Sequence, residues 1–220
     1  MIISVTNLKG GVGKTTLAQN VAVYFAHKGK KVCLIDTDLD QKNCIEWAGL
    51  RAESPKDIPY IAVIGVGEQA LTTEAKEQEK NYDVVIIDGR PLMGKALTKT
   101  LIVADFVLIP ILPGATDIWA FNSFRERFEE VRAYKEDLTG FVIVNRFDRS
   151  NIQKEALEAM KGYDLGVMEN TLASRIAYTE AMLEGLGVIE YKDRKAKEEV
   201  ERVGEEIESI MQKKHGKNTD

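Results

Sequence analysis

Residues 8–16 read L-K-G-G-V-G-K-T-T and carry two lysines, Lys9 and Lys14, on either side of a glycine-rich turn. An apolar run, I-I-S-V-T, precedes the turn, and a helical pattern follows it from Lys14 to about residue 27. Strand, glycine turn and helix start in that order make an anion site. Main-chain N–H groups face outward at the helix N-terminus, and the helix dipole favours negative charge there. Gly10, Gly11 and Gly13, with Val12 between them, let the backbone come close to an oxyanion and take unusual torsions. In this setting Lys14 is expected to meet β- and γ-phosphate oxygens, and the Thr15 hydroxyl, with Thr16 beside it, to ligate Mg²⁺. A ligand-free glycine turn is the bland alternative, and it leaves the spacing, the threonine pair and the context unexplained.

Two acidic strand ends stand with this loop. Residues 31–36, K-V-C-L-I-D, run into Asp36, Asp38 and Asp40, and residues 83–88, D-V-V-I-I-D, end in Asp88. Ligands of open α/β sheets bind beyond the carboxyl ends of the strands, so these acids belong near the phosphates. Four apolar residues followed by an acid is the Walker B pattern, and Asp88 is expected to hold Mg²⁺ through water. Alone this signal is weak, because many buried strands end in Asp; beside the glycine loop it gains weight.

The elements that must position these groups follow from the patterning. Strands are expected over 2–6, 31–36, 59–66, 83–88, 105–110 and 140–145, and helices over 14–27, 41–50, 68–80 and 117–134. The strands show little polar alternation, as expected when both faces are covered. In the last of those helices Ile118, Phe121, Phe124, Phe128 and Val131 fall three or four apart and read as a core stripe. The fold class is α/β: a doubly wound, mostly parallel sheet flanked by helices on both faces, of the P-loop NTPase type. One domain over residues 1–214 and a fraying tail over 215–220 are expected. Net charge is −5, so contact with nucleic acid needs a local basic patch or a doubled surface. Cys33 and Cys44, with His27 and His215, give no metal-ligand spacing. Cys33 reads as a buried thiol in an apolar strand. No signal peptide and no run long enough to span a membrane is visible, which fits a cytoplasmic setting.

An ordinary phosphate loop has glycine at the position of Leu8. Here Lys9, Gly10, Gly11, Gly13, Lys14 and Thr15 match K-G-G-x-G-K-[ST], and the sequence resembles the deviant Walker A ATPases, the ParA and MinD family. The resemblance implies ATP and Mg²⁺ as cofactors. It also implies a homodimer that sandwiches ATP, with Lys9 crossing to the partner's nucleotide and Lys9, Lys14 and Asp38 serving catalysis. Asp36 and Asp88 would hold Mg²⁺ through water, with Thr15 ligating it, and Asp38 would position the attacking water. The family shows D-x-D-P-Q after the second strand; this sequence has Leu39 and Asp40 there, with Gln41 one place later. Asn145 would hydrogen-bond adenine and Arg146 would pack beside it. The D-I-W-A of residues 117–120 and the R-I-A-Y-T-E-A of residues 175–181 extend the likeness.

No helix-turn-helix precedes the first strand, which resembles the short plasmid and chromosome partition ATPases. That form implies an ATP dimer that binds DNA without sequence preference, associates with the nucleoid, and hydrolyses ATP when a ParB-type centromere-binding adaptor stimulates it. Lys192, Arg194, Lys195 and Lys197 form the best basic cluster, although acids in the next turns also suit a solvated helix face; Arg149, Lys161 and Arg175 are further candidates. Related ATPases that position microcompartments, chemoreceptors or conjugation complexes remain open as alternatives. A MinD-like membrane ATPase, an iron–sulfur reductase and a metabolic P-loop enzyme fit less well. The first lacks a basic amphipathic tail, the second paired cysteines, and the third a recognisable substrate pocket.

Overall fold

A computed structural model describes residues 1–91, 94–112, 115–147 and 165–217; the side chains of residues 115–120 and 215–217 lie outside the description. Seven strands form one sheet: β1 (Ile2–Val5), β2 (Val32–Asp36), β3 (Ala62–Gly65), β4 (Val84–Asp88), β5 (Phe106–Ile111), β6 (Thr139–Val144) and β7 (Gly166–Val167). The helices are α1 (Lys14–His27), α2 (Asn43–Ala52), α3 (Leu71–Asn81), α4 (Lys95–Val103), α5 (Ala115–Arg132), α6 (Ile176–Leu183) and α7 (Arg194–Lys217), with a 3₁₀ turn at Val188–Glu190. The strand order is β3-β2-β4-β1-β5-β6-β7, and every pairing is parallel.

Strand periodicity of two divides each apolar run between two faces. Ile3, Val5, Leu34, Ile86, Phe106 and Leu108 pack with α1, α2, α6 and α7. Their neighbours Ile2, Cys33, Ile35, Val85 and Ile87 pack on the other face with Leu71 and Ala75 of α3. On that same face Val107, Ile109 and Ile111 meet α4 and the Phe121, Phe124, Phe128 and Val131 stripe of α5. Both faces are therefore apolar, which is why the strands lack polar alternation. Ile118 of the expected stripe, and the D-I-W-A side chains, are outside the described residues.

The expected element types hold, with shifted bounds. The third strand begins at Ala62, three places after Pro59, a residue with no N–H for a sheet ladder. α2 begins at Asn43, because Lys42 before it takes a left-handed conformation at φ 54°. α7 stays helical to Lys217, past the position where fraying was expected to begin. β7, two residues long, offers too little sequence for any periodic pattern.

α7 lies against α1, and Gly204 makes the approach possible: a Cβ there would overlap the ring of Tyr24. That ring is buried, and its hydroxyl donates to Glu208 at 2.8 Å. Alanine in a helix interior is favoured over glycine by about 1 kcal/mol, whereas overpacking against a fixed ring costs about 1–3 kcal/mol. Gly204→Ala is therefore expected to lose about 1 kcal/mol of stability in urea unfolding. Adding Tyr24→Leu should make the alanine neutral or favourable relative to Tyr24→Leu alone.

Candidate nucleotide site

Register brings the chemistry to one level. On adjacent strands Asp36 pairs with Asp88, and Asp88 with Val5, the last residue of β1. The loops after β1, β2 and β4 therefore leave the sheet side by side, where the strand order reverses direction.

The glycine loop is tied at both ends. The Asn7 amide donates to Pro110 O at 2.7 Å, and Asn7 Oδ1 accepts the Lys9 N–H at 3.2 Å. Val12 is fully buried, and its carbonyl accepts the Asn145 amide at 2.8 Å. Gly13 caps α1 at φ 90°, and a Cβ there would overlap that same amide, so the position excludes any other residue on two grounds. Lys14 is 7% exposed and its Nζ donates to Lys9 O at 2.7 Å. Burial lowers its pKa, and the charges of Asp88 and Asp38 act against that shift. Lys9 is half-buried.

Asp36 is buried and well satisfied, accepting the Asp38 N–H and the Cys44 N–H at 2.9 Å each. Asp88 accepts the Thr15 hydroxyl at 2.7 Å and the Cys44 thiol at 3.4 Å, both on Oδ2, while Oδ1 is buried without a hydrogen-bond partner. Burial pushes the Asp88 carboxyl up to about 7, with the Asp36 charge adding to the rise and Thr15, Cys44 and Lys14 opposing it. A threonine hydroxyl beside carboxylates, one with an unpaired oxygen, is a hard oxygen set that fits Mg²⁺. Cys44 is buried here too, and burial with the two neighbouring carboxylates raises its thiol pKa well above the ordinary value.

Together these groups line a cleft of about 320 Å³, with Gly10, Gly11, Gly13, Lys14, Thr15, Thr16, Asp38, Asp88 and Arg146 among its walls. Two larger clefts, of about 750 and 740 Å³, run along α7, but neither touches the glycine loop. Convergent lysine, threonine and carboxylates mark the smaller one as the site. Asn145 lies behind the loop, 8% exposed, with Oδ1 accepting the Arg146 N–H at 2.9 Å. Gln41, Arg90 and Met182 also line the cleft and were not legible as site residues. Arg90, two places after Asp88, offered the one usable signal, a cation directly behind a strand-end acid.

The basic cluster is elsewhere, at and just before the start of α7. Arg194 pairs with Glu198 at 2.8 Å, Lys197 with Glu201 at 3.8 Å, and Lys192 lies over the Tyr191 ring. Lys195 lines the second large cleft with Arg175, Arg202, Glu198 and Glu199, a wall of mixed charge. Arg149 and Lys161 lie outside the described residues.

Asp88 sets a pH dependence. Its folded carboxyl is raised from an ordinary value of 3.8 to about 7, so the native state holds the proton more tightly than the unfolded state. Stability contributed by this group therefore falls as pH rises from about 4 and levels off above about 7. Asp88→Asn is expected to raise the unfolding free energy of the nucleotide-free protein at pH 8 by up to about 4 kcal/mol. The gain should shrink towards pH 4 in urea unfolding at the two pH values.

Comparison with known proteins agrees with this geometry. Residues 3–197 match the family profile described as the CobQ/CobB/MinD/ParA nucleotide binding domain. The chain is 26% identical over 211 residues to the maintenance of carboxysome distribution protein A of Halothiobacillus neapolitanus, covering 93% of this chain and 95% of that protein. It is 25% identical over 242 residues to the sporulation initiation inhibitor protein Soj of Bacillus subtilis, covering 90% and 94%. The septum site-determining protein MinD of Pyrococcus horikoshii, solved with Mg-ADP, superposes with a TM-score of 0.73 at 19% identity, over 97% of this chain and 98% of that one. From the glycine loop, the level strand ends and the match over most of its length, the chain belongs to the CobQ/CobB/MinD/ParA family of nucleotide-binding domains.

Proposed function

We propose that this protein is an ATPase that dimerises around ATP and Mg²⁺ and segregates plasmid or chromosomal DNA. The observation that carries the reading is the pair of lysines on one loop. Lys14 is enclosed against the loop's own backbone, while Lys9, five residues earlier and half-buried, is the lysine proposed to meet a second subunit's nucleotide. A second cation reaching the phosphates only in the closed dimer links nucleotide state to assembly.

In the proposed reaction water attacks the γ-phosphorus and the bond to the ADP oxygen breaks. The loop backbone and Lys14 hold the β- and γ-phosphates. Asp38, 17% exposed at its side chain, orients the attacking water from the cleft wall. Thr15, Asp36 and Asp88 would hold Mg²⁺, which supplies charge neutralisation across the phosphate oxygens when bound. Arg146 lies beside the base, and Asn145 acts at the base or by bracing the loop. The ATP dimer binds duplex DNA through phosphate contacts without sequence preference and so associates with the nucleoid, and a ParB-type adaptor stimulates turnover. Lys192, Arg194, Lys195 and Lys197 are the proposed DNA contacts, to be freed from their acidic neighbours on binding.

A membrane-bound role has less support. Ala196, Val200, Val203, Ile207 and Met211 of α7 are buried in the core, so among its described residues the apolar stripe of this helix is already covered. Among the described residues no helix is long and apolar enough to cross a membrane. A second cargo reading is favoured by a specific observation: the carboxysome-distribution relative matches almost end to end. In that reading the same ATP-dependent DNA binding positions a microcompartment.

Retention of nonspecific duplex DNA with ATP–Mg²⁺ but not ADP, falling as salt rises, is the expected result; no retention in either state removes DNA from the proposal. Lys14→Ala should abolish nucleotide binding, and Asp38→Ala should accumulate an ATP-locked dimer by size-exclusion chromatography. Lys9→Ala should still bind ATP but form no dimer. A normal ATP-dependent dimer in that variant would refute the role given to Lys9.

A further inference from the structure

The cleft holds a cation that the proposed reaction does not use. Arg90 follows Asp88 and Gly89 at the end of β4, and its position is set by short bonds. The Gly89 N–H donates to Val5 O at 2.9 Å, and a Cβ at Gly89 would crowd Thr6. The Arg90 N–H donates to Thr37 Oγ1 at 2.9 Å, and that hydroxyl donates in turn to Asp88 O at 2.7 Å. From this anchored backbone the guanidinium crosses to the loop after β2. Its Nη2 lies 2.8 Å from Asp40 Oδ2, and its Nε lies 4.0 Å from Asp38 Oδ1. Asp40 stands in the segment where the sequence departs from D-x-D-P-Q, so the acid that receives this arginine belongs to the departing residues.

We infer that Arg90 is a positioning residue for ATP hydrolysis: by pairing with Asp40 it fixes the loop that carries Asp38, and so aims the Asp38 carboxylate at the attacking water. The inference rests on the reading of Asp38 given above. Physical scale separates this role from a structural one. Asp40 is 75% exposed and Arg90 40% exposed at the side chain, and ion pairs this open contribute little to folding. Losing the pair should barely alter stability. Orientation is a different matter, since a misplacement of about 1 Å at a reacting group can slow a reaction by about a hundredfold. A guanidinium also suits the task, because its Nη2 can hold the Asp40 carboxylate while its planar body stays near Asp38, a geometry that lysine's point charge does not fix.

The test is steady-state ATP hydrolysis by the full chain with Mg²⁺, beside nucleotide affinity from a fluorescent ATP analogue and thermal unfolding. Arg90→Ala and Asp40→Ala are each expected to lower kcat about tenfold with KM changed less than about twofold and the melting temperature nearly unchanged. The double variant should be no slower than either single one, because both remove the same contact. Asp40→Glu should keep most of the rate. Asp40→Ala turning over normally, or Arg90→Ala raising KM at constant kcat, would overturn the inference; the second result would make Arg90 a phosphate-binding group. Asp38→Ala serves as the reference. If it is dead while Arg90→Ala is normal, the inference alone fails. If it turns over normally, the reading of Asp38 fails and the inference falls with it.

Discussion

A carboxyl group buried at the end of β4 is the constraint around which the site is arranged. Asp88 is next to Asp36 across the sheet, and two carboxylates so close and so dry repel each other. The protein treats them differently. Asp36 receives two main-chain N–H groups. Asp88 keeps one oxygen unpaired, and burial, only partly opposed by its bonds from the Thr15 hydroxyl and the Cys44 thiol, pushes its carboxyl up to about 7. A buried acid kept short of partners is unfavourable in the isolated fold and favourable once a cation arrives. Folding energy is thus held in reserve for the bound state.

The rest of the architecture serves that arrangement. A parallel sheet puts all its carboxyl ends at one edge, and a register that levels Val5, Asp36 and Asp88 brings phosphate loop and acids within one side chain's reach. α1 then starts directly at the phosphate site with its positive end. The loop is braced from the opposite half of the sheet, by Pro110 of β5 and by Asn145 after β6. Movement of either half relative to the other would therefore be felt at Lys14.

α7 has a comparable double role. Its apolar stripe closes one face of the core, with Gly204 and Tyr24 in contact, while its first turns carry the basic cluster. The salt bridges from that cluster to Glu198 and Glu201 are exposed and weak, so they keep the surface near neutral at little energetic cost.

The sequence by itself determined the sheet, the covering of both its faces, and the phosphate loop. These rest on local rules: period-two and period-3.6 patterning, glycine where no side chain fits, and lysine and threonine at fixed spacing from a helix start. Even the weak Asp88 signal became readable once paired with the loop. What only the tertiary structure decided are the relations between residues far apart in the chain. Asn145 reaches Val12, Cys44 faces Asp88, and Arg90 spans to Asp40, and no local pattern encodes these meetings because they depend on register and on how loops leave the sheet. The sequence could say which residues form the glycine loop at the start of α1. Which carboxylate keeps its proton, and which cation stands beside Asp38, follow from burial and distance, and those exist only in the folded chain.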